Sequence, residues 1–231
     1  MLFFLSLSYK KNLGEIKMYR EPIRQFVKEG ILYVPKNGGL NDYVLSVLMD
    51  AGIEQSELTQ RRFGNVQLVS CRGEDISQRV TDQLKKGNPA YGLTGDDLFD
   101  EFCLEKGTPE NITVINTYDW LDEKAKFGRP ALCLLNRTGE IADVVEDSAV
   151  AVNKKYTATS RRYLDDRFKE NRFLITEYSG GTEDTFIKKT NSIVVEIVYG
   201  GDSAKEAKLR IAEVIRVCDI SLIGKRITTN S

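Results

Sequence analysis

Apolar residues in this chain come in short blocks separated by turns. Ile31-Leu32-Tyr33-Val34 ends at Pro35 and predicts a buried strand. After the turn Lys36-Asn37-Gly38-Gly39, Leu40, Val44, Leu45, Val47 and Leu48 recur at helical spacing up to Gly52. Val66-Gln67-Leu68-Val69 predicts a second strand. Residues 75–84 read as a helix with Ile76, Val80 and Leu84 on one face and Ser77 and Thr81 on its polar side, stopped by Lys85-Lys86-Gly87. Ala90-Tyr91-Gly92-Leu93 is a small-residue strand that delivers Thr94-Gly95-Asp96-Asp97 to the next helix, and residues 112–115 form another strand.

A second unit begins near Trp120. Its expected strands are residues 131–135, 149–152 and 173–175, with a helix over 159–168. Residues 192–198 are β-branched and fit either a helix end or a strand. Residues 203–214 have helical spacing, and residues 220–223 close the chain as a strand. Strands alternating with helices predict an α/β protein with mostly parallel sheets and helices on both faces. Ligands of such sheets lie beyond the carboxyl ends of the strands. That rule selects the segments 35–40, 70–75 and 94–97.

Length and composition fit this picture. The chain has 231 residues, 41% hydrophobic and 29% charged, and 33 basic residues nearly balance 34 acidic ones. Such a balance excludes a nucleic-acid binder that works through bulk charge, while leaving room for a local basic cleft. Four cysteines, Cys71, Cys103, Cys133 and Cys218, have no C-x-x-C spacing, so reduced thiols in a cytoplasmic protein are expected. There is no histidine, which removes Ser-His, Cys-His and His-metal chemistry. Residues 1–8 are apolar but precede Lys10 and Lys11, the reverse of a secretory signal, and read as an extension or a first strand. No stretch reaches the roughly 18 apolar residues of a spanning helix, so a soluble protein is expected.

Three glycine-bearing turns have the make-up of anion sites. Tyr199-Gly200-Gly201-Asp202-Ser203 lies between an apolar run and a helix, where glycine lets backbone amides approach a ligand. Thr94-Gly95-Asp96-Asp97 and Ser179-Gly180-Gly181-Thr182-Glu183 repeat the arrangement. Each has a plain structural explanation as well: a surface turn, or a hydroxyl or carboxylate capping a helix. Arg72 follows a strand directly, placed either to grip phosphate with its planar fork or to pair with Glu74 or Asp75. Arg161 and Arg162 sit on a helix whose polar face would account for them. Three such turns in one α/β chain point to a phosphorylated small molecule.

The motifs follow the order of a known family. Lys36–Leu40 resembles a Pro-Lys-Gly-Arg-Leu turn, Ser70-Cys71-Arg72-Gly73-Glu74-Asp75-Ile76 an arginine-bearing segment before a helix, and Tyr91–Leu98 a Gly-Ile-Thr-Gly-Glu-Asp-Leu signature. Phe127-Gly128-Arg129, Lys155-Tyr156 with Ser160-Arg161-Arg162-Tyr163, and Ser179–Glu183 match further steps. From about residue 30 to 224 the chain resembles the short form of ATP phosphoribosyltransferase. That resemblance implies two lobes like those of type II periplasmic binding proteins, with crossovers near 116–125 and 195–208. Residues 1–29 would be an extension, 30–118 plus 205–231 the nucleotide-side lobe I, and 119–204 the phosphoribosyl-side lobe II. It implies transfer of a phosphoribosyl group from phosphoribosyl pyrophosphate to N1 of ATP, with Mg²⁺. It further implies a homo-oligomer that works with a regulatory subunit, and no nucleic-acid or membrane partner. By the same resemblance Glu183 lies near the reacting ribose as the catalytic residue, and Tyr199, Gly200, Gly201, Asp202 and Ser203 hold its 5′-phosphate. Lys36, Arg72, Thr94, Gly95, Asp97 and Arg161 line the nucleotide side. Three positions depart from the family: Val195 stands for an Asp, Asp202 for a Thr and Gly39 for an Arg, and a register one residue on would supply Glu196 in place of the lost Asp. The departures admit a second reading, a non-catalytic relative that binds a nucleotide or serves as a subunit.

Overall fold

The computed structural model describes residues 23–36, 38–144, 147–169, 172–179 and 193–225. Its first half runs α1 (Ile23–Phe26), β1 (Glu29–Pro35), α2 (Gly38–Asp50), α3 (Gln55–Gln60), β2 (Arg62–Phe63), β3 (Asn65–Cys71), α4 (Ile76–Lys85), β4 (Ala90–Gly95), α5 (Asp96–Lys106) and β5 (Ile112–Tyr118). The second half runs β6 (Ala131–Asn136), β7 (Ala149–Asn153), α6 (Thr157–Arg167), β8 (Leu174–Tyr178), β9 (Ile193–Val198), α7 (Asp202–Glu206), β10 (Arg210–Val217) and β11 (Ile220–Lys225). Two mixed sheets result. The first has order β2-β3-β1-β4-β11-β5 and the second β10-β6-β9-β7-β8. In the first sheet β1 pairs in parallel with β3 and β4, while β11 runs antiparallel between β4 and β5.

Each sheet has apolar packing on both faces. Leu32, Val34, Leu68 and Leu93 meet α2 on one side of the first sheet, while Tyr33, Ile76, Val80 and Phe99 pack on the other. Glycine in β4 is required by this packing: a Cβ on Gly92 would stand 2.4 Å from Ile76 Cγ2, so the small residue lets α4 lie directly on the strand. In α4 the structure corrects the expected polar side. Ser77 and Thr81 are buried, and the Thr81 hydroxyl is satisfied by donating to the Ser77 carbonyl one turn back at 2.8 Å. Strand β6, flanked by β10 and β9, is buried at every position, and its apolar run Ala131–Leu135 matches that burial.

Residues 203–214 do not form the expected single helix. The chain makes one short helix, α7, and then β10, which pairs with β6 in the second sheet. The chain therefore re-enters the first sheet only after Val217, later than residue 205, and the crossovers are residues 119–130 and 218–219. Residues 192–198, open between helix and strand from the sequence, contain β9. No helix among the described residues is long and apolar enough to cross a membrane.

The lobes meet along α5. Glu101 accepts hydrogen bonds from the backbone amides of Ala158 (2.6 Å) and Thr159 (2.8 Å), so a carboxylate of one lobe caps a helix of the other. Arg216 of β10 donates to Asp96 (2.7 Å) and Asp100 (2.6 Å), and the Tyr156 hydroxyl donates to Asp97 at 2.7 Å. Arg129 joins the two crossovers by donating to Asp219 at 2.5 Å and Asp119 at 2.8 Å.

Two outcomes follow from this seam. Glu101→Ala leaves two part-buried helix-start amides without their carboxylate, and urea unfolding should show a loss of about 2 kcal/mol. Burial pushes the Asp97 carboxyl above its ordinary 3.8, against the opposing pull of the Tyr156 hydroxyl. A folded value above the unfolded one means that the native state holds this proton more tightly, so this group's contribution falls as pH rises through that window. Asp97→Asn keeps an acceptor for Tyr156, and its unfolding midpoint should be less dependent on pH while neutral-pH stability is retained or raised. A steeper profile, or a large loss at neutral pH, would show that the charge itself is needed.

Candidate functional site

Between the sheets lies a cleft of about 990 Å³. Its first wall is made by the ends of parallel strands: Lys36 and the start of α2 after β1, Arg72 and Glu74 after β3, and Asp97 at the start of α5 after β4. Trp120, Lys124 and Cys218 come from the crossovers. The facing wall is Asn153–Tyr156 after β7, Ser179 after β8, and Glu196, Ile197 and Tyr199 from β9 and its turn.

Charge in the cleft is uneven. Lys36, Arg72, Lys124, Lys154 and Lys155 face three carboxylates, Glu74, Asp97 and Glu196. Lys155 reaches across to Glu74 at 3.4 Å. Among the described residues the other four cations make no ion pair. Cations left unpaired in a cleft attract phosphate without first having to break a bridge.

Glu196 is the carboxylate that the second lobe turns inward. Val195 packs into the core and Glu196, one residue on, lines the cleft. Asn153 Nδ2 donates to both Glu196 oxygens, at 3.3 and 3.2 Å, while Asn153 Oδ1 accepts from the Lys155 amide at 3.1 Å. One asparagine thus fixes both a carboxylate and the turn that carries two lysines.

The residues expected at the site divide into three groups. Lys36, Arg72, Asp97 and Tyr199 line the cleft. Thr94 does not: it is fully buried, and its hydroxyl donates to the Gly73 carbonyl at 3.3 Å, which holds the Arg72 turn from beneath. Gly95 supports the same corner, since a Cβ there would meet Asp97 Oδ1 at 2.1 Å. Arg161 points away on the exposed face of α6, 3.5 Å from Glu177. Gly200, Gly201, Asp202 and Ser203 flank the cleft without lining it. Their turn rests on the first crossover, where the Lys126 amide donates to the Tyr199 carbonyl at 2.7 Å, and Gly201 adopts φ of 90° that a side chain would strain. The Tyr199 hydroxyl donates to Asp122; this holds the Asp122 carboxyl below its usual range and pushes the phenol up to about 12. Glu183 lies outside the described residues.

Lys124, Lys154, Lys155, Asn153 and Trp120 were not among the expected site residues, and Glu196 entered only as the alternative register for the position of Val195. The strand-end rule that selects Arg72 after β3 applies equally to Lys154 and Lys155 after β7, and was the available signal. Lys124 and Trp120 carry no local motif.

Two clusters bear on a divalent cation. Donor atoms of Asp96, Asp97 and Cys218 lie within 4.8 Å of one another. Arg216, Tyr156 and the Asp219 amide already occupy the carboxylates, and burial pushes the Cys218 thiol far up, so the cluster does not suit a hard ion. Glu196 and Glu74 also bring oxygen donors to the cleft, where Asn153 and the Ile197 amide donate to Glu196 and Lys155 pairs with Glu74. A second cavity of about 610 Å³ lies on α5, α6 and β10. Its arginines are taken: Arg162 pairs with Asp166, Arg167 with Glu213, and Arg216 with Asp96 and Asp100.

Comparison with known proteins agrees with this architecture. A family model described as ATP phosphoribosyltransferase (HisG) matches residues 72–231, more than half of the chain. Among solved structures, the ATP phosphoribosyl transferase (HisG:HisZ) complex from Thermotoga maritima superposes with a TM-score of 0.60 at 19% identity, covering 84% of this chain and 87% of that one. The periplasmic aliphatic sulphonate binding protein SsuA from Escherichia coli gives a TM-score of 0.53 at 12% identity, covering 85% of this chain and 64% of that one. No curated protein matches the chain significantly. The structural likenesses establish a two-lobed fold of the periplasmic-binding-protein kind, and the sequence match establishes descent: the chain belongs to the ATP phosphoribosyltransferase family.

Proposed function

We propose that the protein transfers a phosphoribosyl group from phosphoribosyl pyrophosphate to N1 of ATP. The observation that supports this most is the strand-end cleft, which five cations line together with the inward-turned Glu196. N1 donates its lone pair to the anomeric carbon, the bond from that carbon to the pyrophosphate oxygen breaks, and the pyrophosphate leaves with the bonding pair. Such a displacement needs alignment and stabilisation of the departing charge more than acid–base chemistry, so the absence of histidine is no obstacle.

On this reading Lys36 and Arg72 hold the triphosphate of ATP, while Lys154 and Lys155 face the pyrophosphate. Glu196, kept in place by Asn153, accepts from the ribose hydroxyls, and the turn 199–203 takes the 5′-phosphate with Lys124 and Lys126 beside it. Glu183 is assigned to the ribose by family resemblance. Mg²⁺, implied by the family resemblance, would enter with the pyrophosphate and neutralise its departing charge. Four free cysteines accord with a reducing cytoplasm. Assembly as a homo-oligomer with a regulatory subunit is proposed by analogy with the Thermotoga complex. Asp202 at the phosphate turn and Gly39 in the opening turn favour a second reading, a relative that binds without turning over.

Thermal unfolding with phosphoribosyl pyrophosphate, ATP or AMP, each with Mg²⁺, tests binding. At a free concentration of 100 times Kd a ligand should add about 2.7 kcal/mol. Pyrophosphate release with both substrates present then separates enzyme from binder. Glu196→Gln should fold normally and lower turnover about 100-fold. Absence of stabilisation by all three ligands removes the proposal, and binding without release selects the second reading.

A further inference from the structure

Apolar side chains share the lining of the cleft with the charged ones, and the largest of them is Trp120. Leu40, Leu98, Pro130, Ile197 and Tyr199 line the cleft with it, whereas the cations lie on the strand-end turns and the loop around Lys124. Trp120 is 8% exposed and is held from several directions. Tyr43 stacks on it at 5.6 Å between centroids and 23° between planes. The Tyr43 hydroxyl is anchored on the Asp119 carbonyl, and the Trp120 amide donates to Asp219 at 2.8 Å. The indole is therefore fixed before any ligand arrives.

Its rim is kept open by a glycine. A Cβ on Gly39 would stand 3.9 Å from Trp120 Cζ2, so this position adjoins the ring edge and glycine places no side chain against it. Gly39 is also the position at which the resembling turn carries arginine. In this chain a guanidinium is missing and a rigid aromatic rim lines the same corner of the cleft.

We propose that Trp120 is a specificity-determining residue that contacts the planar base of the nucleotide substrate, with Gly39 keeping the approach clear. This inference rests on the transferase reading and assigns the apolar side chains of the lining to the base and the cations to phosphates. A flat, weakly hydrated base gains from an ordered aromatic and aliphatic wall, while a phosphosugar without a base gains nothing from it.

Trp120 is the only tryptophan in the chain, so its emission reports on this corner alone. The test compares ATP and AMP with phosphoribosyl pyrophosphate and inorganic pyrophosphate, following tryptophan emission and thermal unfolding in parallel. ATP and AMP should change the emission with the same midpoint as their stabilisation, and the two base-free ligands should stabilise without changing it. Trp120→Leu should weaken ATP binding about tenfold and leave phosphoribosyl pyrophosphate binding within about twofold, with Trp120→Phe close to the parent. Should the leucine variant fail to fold, the emission data and the phenylalanine variant decide. Stabilisation by ATP with unchanged emission overturns the inference and leaves the transferase reading intact. Equal emission changes with the base-free ligands overturn it too, since Trp120 would then report charge or closure. Lack of stabilisation by any ligand overturns both.

Discussion

Carboxylates shared between the lobes set everything else in this molecule. Glu101 caps a helix that belongs to the opposite sheet, Asp96 and Asp100 divide one guanidinium, and Asp219 joins both crossovers through Arg129. Each is satisfied by donors that arrive from distant parts of the chain. Glu101 is buried and Asp96 and Asp219 are part-buried, and a carboxylate withdrawn from water in this way is tolerated when it is paired, so removing one partner strands the other. The result is a cleft whose walls are positioned before ligand binds, rather than two sheets joined by loose connections.

Much of the first lobe was legible because its chemistry is local. A strand that ends in a turn and starts a helix announces itself in six or eight residues, as around Arg72 and Thr94-Gly95. Even there, the direction of a side chain was not local: Thr94 looks like a ligand-binding hydroxyl and instead braces Gly73. The misreading of residues 203–214 has a definite cause. β10 carries register shifts between Ile211 and Glu213 and between Val214 and Arg216. The helical spacing was that of Ala204, Ala207, Leu209, Ile211 and Ala212; Ala204 lies in α7, while each shift interrupts the alternation that would have marked Ile211 and Ala212 as strand. Glu196 required the register of β9, which depends on β6 and β7 as neighbours. No window of sequence contains that information.

Net charge gave equally little warning of the cleft. A formal value of −1 averages a molecule in which acidic groups are spent on the seam and basic groups line the opening. The sorting is spatial: Asp96, Asp100 and Glu101 lie on one helix facing the other lobe, while Lys36, Arg72, Lys124 and Lys154 come from four separate connections. Balanced composition is thus compatible with a strongly polarised site.

Strand β11 sits between β4 and β5, although the whole second sheet intervenes in the chain. During synthesis on the ribosome, the first sheet must wait with a gap between two strands already made. β4 and β5 each offer an unpaired edge until the last strand emerges, and either is a template for the wrong partner. The same insertion threads the chain out of one lobe and back again: the second sheet is built from one continuous stretch, β6 to β10, while the first stays incomplete until that stretch has been made.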